Sequence, residues 1–361
     1  MSGIALAITV KNERDLLRSN VLYHRYLGVK SSYIFLDNTT DDTQDTVSDL
    51  DYVTVSDSVT GDRFLETAER RQACVHSVRL RETVEKSAEN HDARQVLNAY
   101  VAWEQARDAG MEWLVSLDAD ELVWPGSASL VEGQLANEFD GLGKHIEQVR
   151  FVPLEVIPRR RQYENVFHEA VHFKRHGSKV RQDLYDPLTG RSHKFEFVPT
   201  RLFPARLHGI GLYKVRRFTW WYGHHRGKWA VRIGPTIVPL IHRCVKLDGS
   251  GLVTEAKFHL LHYIIYNHED FVKKYRKFAD RADVAIGGAA LQYRKRFWRD
   301  LVNNSALSDS ALGDYYKQWI AFGEEDILRL QQKHDHKGAS SVVEVTAVRE
   351  VFEKLSRGYS E

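Results

Sequence analysis

Two aspartates separated by one residue, Asp118 and Asp120, follow an apolar run at residues 113–117 and precede Glu121. The run predicts a buried strand, and open α/β sheets bind their ligands at the carboxyl ends of strands. Alternate residues of an extended chain point the same way, so both carboxylates can face one ligand. Such hard oxygen donors suit Mg²⁺ or Mn²⁺, which usually also bind substrate phosphates. An acidic turn would have the same spacing, but the buried strand before it favours a metal site.

Two other polar segments also follow predicted strands. The segment from Thr9 to Glu13 follows the apolar run at residues 4–10, and the segment from Asp37 to Thr43 follows residues 33–36. The carboxyl ends of parallel strands share one edge, so both segments are candidates to line a nucleotide pocket. Each alone also fits a plain loop, either an acidic helix start or an Asx-rich turn.

The elements that would position these side chains form an α/β pattern. Apolar residues recur at helical spacing from Leu16 to Leu27, and Gly28 then ends the helix. A strand, a helix and a strand in this order predict a βαβ unit. We therefore predict a Rossmann-type α/β fold with a mixed, mainly parallel sheet. Further strands are predicted at 51–55, 113–117 and 149–156, and helices within 61–91, at 92–109 and at 268–279.

The same pattern predicts how the chain is divided. Residues 1–280 are expected to form one catalytic domain, with a nucleotide half at 1–125 and an acceptor half at 126–280. Within the acceptor half, residues 158–235 lack regular periodicity and predict strands and loops over the active face. Residues 281–361 predict a helical C-terminal extension.

Composition narrows the function classes and the compartment. The 361 residues carry a net charge of +2, too even a balance for a general nucleic-acid binder. Cys74 and Cys244 cannot form a disulfide scaffold, which favours a reducing, cytoplasmic compartment. The first apolar run is too short to span a bilayer, and charge follows it at once, unlike a signal peptide. Peripheral association with the inner membrane face stays open.

The order of these motifs resembles glycosyltransferase family two and the related family-92-like enzymes. The resemblance covers about residues 4–125 and returns weakly at 227–232, at His262-Tyr263 and at 269–274. It implies a GT-A fold and a metal-dependent transfer of sugar from a nucleotide-sugar, preferably UDP-linked, to a glycan or lipid-linked acceptor. The motifs that carry it are Lys11-Asn12-Glu13, Tyr23-His24-Arg25-Tyr26-Leu27-Gly28-Val29, Asp37-Asn38 and Asp118-Ala119-Asp120-Glu121.

The resemblance also implies roles for single residues. Mn²⁺ or Mg²⁺ would be held by Asp118, Asp120 and His262, and an imidazole ligand favours Mn²⁺. His259 competes with His262, and their odd spacing on a strand lets only one of them face the site. The nucleotide-binding positions would be Thr9, Lys11, Glu13, Asp37 and Asp118.

Catalysis would need further charged groups. Lys228 or Arg232 could stabilise the charge on the leaving diphosphate. An inverting enzyme also needs a carboxylate base for the acceptor hydroxyl, and the order along the chain favours Glu155 or Glu169. Glu121, nearer the metal, stays an alternative.

Some features depart from the family or fit other functions. Thr39-Thr40 replace the usual Gly-Ser, and Arg159 to Arg161 are interpreted as a solvated loop.

A nucleotidyltransferase would show a glycine-rich, lysine-containing loop after the first strand. A nuclease is disfavoured by the charge, whereas a carbohydrate-binding protein would not need the paired aspartates. The cluster Trp220, Trp221 and Tyr222 fits a sugar platform but more often forms core, and His208-Gly209-Ile210-Gly211 lacks the third glycine of a phosphate loop.

Overall fold

The fold is seen in a computed structural model of the chain, in which two compact units interleave along the sequence. One unit comprises residues 1–153, 225–262 and 346–361, and the other comprises 154–224 and 263–345. These boundaries differ from the predicted division at residue 280, and the predicted functional halves stay a prediction. The structure describes residues 2–175, 181–186, 191–196, 227–234, 236–276, 298–332, 340 and 342–358.

Fourteen strands and eleven α-helices are assigned within these ranges. The strands are β1 Ile4–Val10, β2 Val29–Leu36, β3 Val53–Asp57, β4 Trp113–Leu117, β5 Glu121–Trp124, β6 Gln148–Val156, β7 His172–Arg175, β8 Arg181–Asp186, β9 Arg191–Glu196, β10 Trp229–Arg232, β11 Ile237–Leu240, β12 Arg243–Lys246, β13 Thr254–His262 and β14 Val342–Glu344. The helices are α1 Leu17–Tyr26, α2 Gly61–Phe64, α3 Ala68–His76, α4 Val78–Lys86, α5 His91–Asp108, α6 Gln134–Asp140, α7 Val166–Glu169, α8 His268–Arg276, α9 Asp309–Trp319, α10 Glu324–Gln331 and α11 Ala347–Gly358.

The first unit is built on a mixed sheet in the order β6-β10-β4-β1-β2-β3. Strands β4, β1, β2 and β3 are parallel, whereas β10 runs antiparallel to both β4 and β6. Off this path, β13 pairs with β5 in antiparallel register. The predicted α/β fold, with its βαβ start at residues 4–36, is confirmed. The parallel strands bring the ends of β1, β2 and β4 to one edge of the sheet.

Helix α5 covers one face of this sheet because its apolar residues meet those of the strands. Its Leu97, Tyr100 and Trp103 are buried in a core with Ala5 and Leu114 of β1 and β4. Helix α11, from the end of the chain, packs on α1, where the Phe352 ring stacks on Tyr23 with 6.1 Å between the centroids. Both helices therefore support elements that reach the carboxyl edge of the sheet.

The second unit has its own cores. One surrounds Phe271 of α8, with Trp298 and Tyr316 also buried in it. Strand β14 pairs with β7, and β7 pairs with the last three residues of β6. The C-terminal region was predicted to be helical, but it also contains β14 at Val342–Glu344. The predicted clusters at 208–211 and 220–222 lie outside the described residues.

Candidate active site

The Asp118 motif forms a tight turn between β4 and β5. The Glu121 amide donates to the Asp118 carbonyl at 3.1 Å, and the Asp118 amide donates to Glu121 Oε2 at 2.8 Å. The Glu121 side chain is therefore part of the turn that orients Asp118. This turn follows the buried strand Trp113–Leu117, as predicted.

Side chains of helix α1 form hydrogen bonds with the backbone of the same turn. Asn20 Nδ2 donates to the carbonyls of Ala119 and Glu121 at 3.0 and 2.7 Å. The His24 ring accepts the Val123 amide at Nε2, 3.2 Å away, and its Nδ1 lies 2.9 Å from the Asn20 carbonyl. Burial lowers the pKa of His24 to about 4, so the ring stays neutral at pH 7. These contacts explain why polar residues stand on the buried face of α1.

His262 and Asp120 lie close together. His262 Nε2 is 3.7 Å from Asp120 Oδ2, and the exposed fractions of the two side chains are 5% and 18%. On β13, His262 lies opposite Glu121, whereas the His259 ring stacks on Trp124 with 5.2 Å between the centroids. The two histidines therefore have different surroundings, and it is His262 that lies beside the aspartate motif.

A buried lysine neutralises the first aspartate of the motif. Lys228 Nζ lies 2.8 Å from Asp118 Oδ1 and 3.9 Å from Glu121 Oε2, and the lysine side chain is only 2% exposed. Burial lowers the pKa of Lys228, but attraction to Asp118 and Glu121 outweighs it and raises the pKa above its usual value. Burial raises the pKa of Asp118, yet the lysine holds it below normal. Gln95 also donates to Asp118 Oδ1, at 2.5 Å.

Glu121 and Gly227 complete the surroundings of Lys228. Burial raises the pKa of Glu121 to about 8, although Lys228 opposes that shift. Gly227 has a φ of 65°, and a Cβ there would lie 2.0 Å from the Phe151 carbonyl oxygen. Only glycine fits this left-handed position against the neighbouring backbone, so Gly227 sets where the lysine begins.

Asp37 lies at the end of β2 and is enclosed by protein groups. Arg94 donates to it through Nε at 2.5 Å and Nη2 at 3.1 Å, and His91 Nδ1 contacts its Oδ2. Burial raises the pKa of Asp37, but the hydrogen bonds from His91 and Arg94 outweigh it and hold the pKa well below its usual value. Asp37 is thus a charged side chain that is 2% exposed.

Hydrogen bonds join the two predicted nucleotide loops. The Thr40 amide donates to Asn12 Oδ1 at 2.7 Å, and the Glu13 amide donates to Thr43 Oγ1 at 2.9 Å. Thr39 Oγ1 donates to the Val10 carbonyl at 3.2 Å. Thr39, Thr40 and Thr43 therefore tie the second loop to the first.

Sequence reasoning missed the polar stripe of α5. His91, Arg94, Gln95 and Asn98 stand at positions i, i+3, i+4 and i+7 of the helix and so share one face. Asn98 Nδ2 donates to Thr9 Oγ1 at 2.9 Å. The stripe thus contacts the ends of three strands at Thr9, Asp37 and Asp118. The recurrence of polar residues at helical spacing in the first half of α5 is the signal that would have revealed it.

The other residues predicted for the site have the following positions. Arg232 pairs with Glu112 and lies over the Trp113 ring, 4.4 Å from its centroid. Lys11 is exposed at the end of β1. Glu155 and Glu169 belong to the second unit, where Glu155 is buried.

The three arginines predicted as a solvated loop all form ion pairs within the second unit. Arg159 pairs with Glu324, and Arg161 lies 3.8 Å from Asp309. Arg160 donates to Glu169 at 2.6 Å. Each therefore has a carboxylate partner inside this unit.

Among the residues that the structure describes, no three His, Cys, Asp or Glu side chains converge on one metal position. Asp120 and His262 therefore form a pair rather than a closed cage. Within the same ranges, no helix combines the length and apolar character needed to cross a membrane.

Comparison with known proteins gives two curated relatives, both from Arabidopsis thaliana and both called glycosyltransferase-like. One is 27% identical over 168 residues, which are 46% of this chain and 36% of the relative. The other is 32% identical over 92 residues, which are 26% of this chain and 18% of the relative. The chain thus matches about a third of one relative's length and less than a fifth of the other's. No protein-family model matches the chain.

Solved structures show weaker likenesses. Glucosyl-3-phosphoglycerate synthase from Mycobacterium tuberculosis, solved with Mg²⁺ and uridine diphosphate, is 11% identical with a TM-score of 0.29 over 76% of this chain and 79% of that one. TarS from S. aureus is 13% identical with a TM-score of 0.30 over 92% of this chain and 46% of that one. Because both scores are low, neither likeness establishes a function.

Proposed function

We propose that the chain is a metal-dependent glycosyltransferase with a GT-A fold. It would move a sugar from a UDP-linked donor to a hydroxyl of a glycan or lipid-linked acceptor. The observation that carries the proposal is the pairing of Asp120 with His262 beside Asp118, at the edge where β1, β2 and β4 end. The similarity of 168 residues to a protein called glycosyltransferase-like supports the same reaction class.

The donor atoms of Asp120 and His262 fit one divalent ion. Their separation of 3.7 Å is less than twice a metal–ligand bond of about 2.1 Å, so one ion can be bonded to both. An imidazole ligand favours Mn²⁺ over Mg²⁺. Asp118 is held by Lys228 and Gln95, and we assign it to the ribose or to a water-mediated metal contact. When bound, the ion would neutralise charge on the departing diphosphate.

Other side chains at this edge of the sheet are proposed to bind the nucleotide of the donor. Thr9, Lys11 and Glu13 would line the nucleotide pocket, and Asp37 would position a neighbouring side chain of that pocket. The ammonium of Lys228 beside Asp118 lowers the negative charge that a diphosphate would meet there.

The catalytic base is proposed to be a carboxylate, either Glu155 or Glu169. The Glu169 oxygens already accept Arg160 and the amides of Glu164 and Asn165. Glu155 and Glu169 both stay proposed bases of an inverting transfer, and Glu169 would first have to release these donors.

Release of nucleotide from a panel of UDP-sugars and GDP-sugars, with MnCl₂ or with EDTA, tests the proposal. We expect slow UDP release that needs Mn²⁺ and is abolished by EDTA. Release of pyrophosphate from a nucleoside triphosphate and a sugar phosphate would indicate a nucleotidyltransferase instead. No turnover, combined with binding of free sugars, would indicate a carbohydrate-binding protein.

A further inference from the structure

Both carboxylate oxygens of Asp37 already accept hydrogen bonds from protein groups. Oδ1 accepts Arg94 Nε at 2.5 Å, and Oδ2 accepts Arg94 Nη2 at 3.1 Å and contacts His91 Nδ1. The side chain is 2% exposed. A bidentate arginine and an imidazole together satisfy most of the hydrogen-bonding capacity of a carboxylate. Asp37 is thus placed to orient other side chains rather than to bind a nucleotide itself.

His91 is the exposed member of this group. Its side chain is 30% exposed, whereas those of Asp37 and Arg94 are 2% and 10% exposed. Nδ1 faces the carboxylate, so the other ring nitrogen, Nε2, lies on the far side of the ring from Asp37. A carboxylate partner fixes the proton on Nδ1, which leaves Nε2 of the neutral ring as a hydrogen-bond acceptor.

We propose that His91 contacts the nucleoside of the donor, accepting a hydrogen bond from a base N–H or a ribose hydroxyl, and that Asp37 positions it. This inference rests on the proposed function and names the residue that recognises the nucleoside. Uridine offers donors of both kinds. Asp37 and Arg94 act through His91 and do not touch the nucleotide.

The order of the strands supports a nucleoside at this place. Strand β1 lies between β4 and β2, so the ends of β4 and β2 are two strand spacings, about 10 Å, apart. Helix α5 bridges this gap, because His91 contacts Asp37 after β2 and Gln95, one turn later, contacts Asp118 after β4. A diphosphate beside Asp118 and Asp120 would therefore leave its nucleoside near His91.

Calorimetric titration of UDP and of inorganic pyrophosphate, each with excess MnCl₂, separates nucleoside contacts from phosphate contacts. Removing one hydrogen bond in His91→Ala should weaken UDP binding about tenfold and leave pyrophosphate binding unchanged. His76→Ala is the matched control, because His76 is an exposed histidine at the end of α3. His91→Gln, which can still donate to Asp37, provides a second variant if His91→Ala does not fold.

The outcomes are distinguishable. UDP binding by His91→Ala equal to that of wild type would overturn the inference. So would an equal loss of UDP and pyrophosphate binding, because that pattern places His91 at the phosphates or in the scaffold. If the wild-type chain binds neither ligand, the proposed function itself fails.

Discussion

Acidification should loosen the turn that carries Asp118 and Asp120, through the buried ring of His24. Its pKa is lowered from 6.5 to about 4, because burial disfavours the charged ring. The side chain is fully buried, and protonation of Nε2 would break its bond with the Val123 amide. The folded state therefore resists a proton that the unfolded state accepts readily.

The sign and size of the effect follow from linkage. Between the two pKa values the unfolded chain binds more protons than the folded one, so stability falls as the pH drops from 6.5 towards 4. Above pH 6.5 the ring is neutral in both states and contributes no pH dependence. The full difference corresponds to about 3 kcal/mol, of which about 2 kcal/mol is lost by pH 5.

Urea unfolding at pH 7.5 and pH 5, followed by tryptophan fluorescence, measures this loss. His24→Gln keeps an acceptor for the Val123 amide but cannot titrate. It should be less stable than wild type at pH 7.5 and should lose about 2 kcal/mol less than wild type on going to pH 5. The same pH dependence in both proteins would refute the reasoning, because other groups would then account for all of it.

Three further substitutions test the scaffold of the site. Gly227→Ala should lower the free energy of unfolding by about 2–4 kcal/mol, because the residue has a left-handed φ and its Cβ would collide with the Phe151 backbone. Gly249→Ala should lower it by only about 1 kcal/mol, because Gly249 has a positive φ but a Cβ there would meet no other atom. Lys228→Met should lower stability by about 1–3 kcal/mol and abolish transfer, because it leaves Asp118 without its buried cation. Asp37→Ala should cost about 3–5 kcal/mol, since it leaves a buried arginine without its counter-charge.

Thermal and urea unfolding, with donor turnover measured on the folded fraction, check these three expectations. Equal losses of unfolding free energy in the two glycine variants would mean that the backbone shifts to avoid the contact between residue 227 and Phe151. Full transfer activity in Lys228→Met would show that the lysine is not needed for the reaction. A stable Asp37→Ala would show that the arginine finds another partner or water.

The sequence was sufficient to predict which residues follow the carboxyl ends of the strands, but not which side chains those residues contact. The run at residues 113–117 and the βαβ pattern at 4–36 sufficed to predict where Asp37 and Asp118 lie, because hydrophobic periodicity determines strand ends. The odd spacing of His259 and His262 predicts that only one ring faces the site, and in the structure the two residues pair with different residues of β5.

What escaped prediction depends on contacts between distant parts of the chain. Lys228 was a candidate to stabilise the diphosphate charge, but its contact with Asp118 was not predicted, because 110 residues separate them and nothing local to either residue indicates it. The polar stripe on α5 was not predicted because its partners Asp37, Asp118 and Thr9 lie far from it along the chain. The return of the last helix to α1 likewise depends on tertiary packing alone.

The most direct test of the central claim is the Mn²⁺ affinity of the UDP-bound protein, measured by calorimetry. Asp120→Asn and His262→Ala should each lower that affinity by at least about tenfold and abolish Mn²⁺-dependent release of UDP from the donor sugar. His259→Ala is the matched control, because His259 lies on the same strand against Trp124. It should bind Mn²⁺ as the wild type does. Unchanged affinity in Asp120→Asn, or a loss in His259→Ala with none in His262→Ala, would contradict the assignment of the metal site.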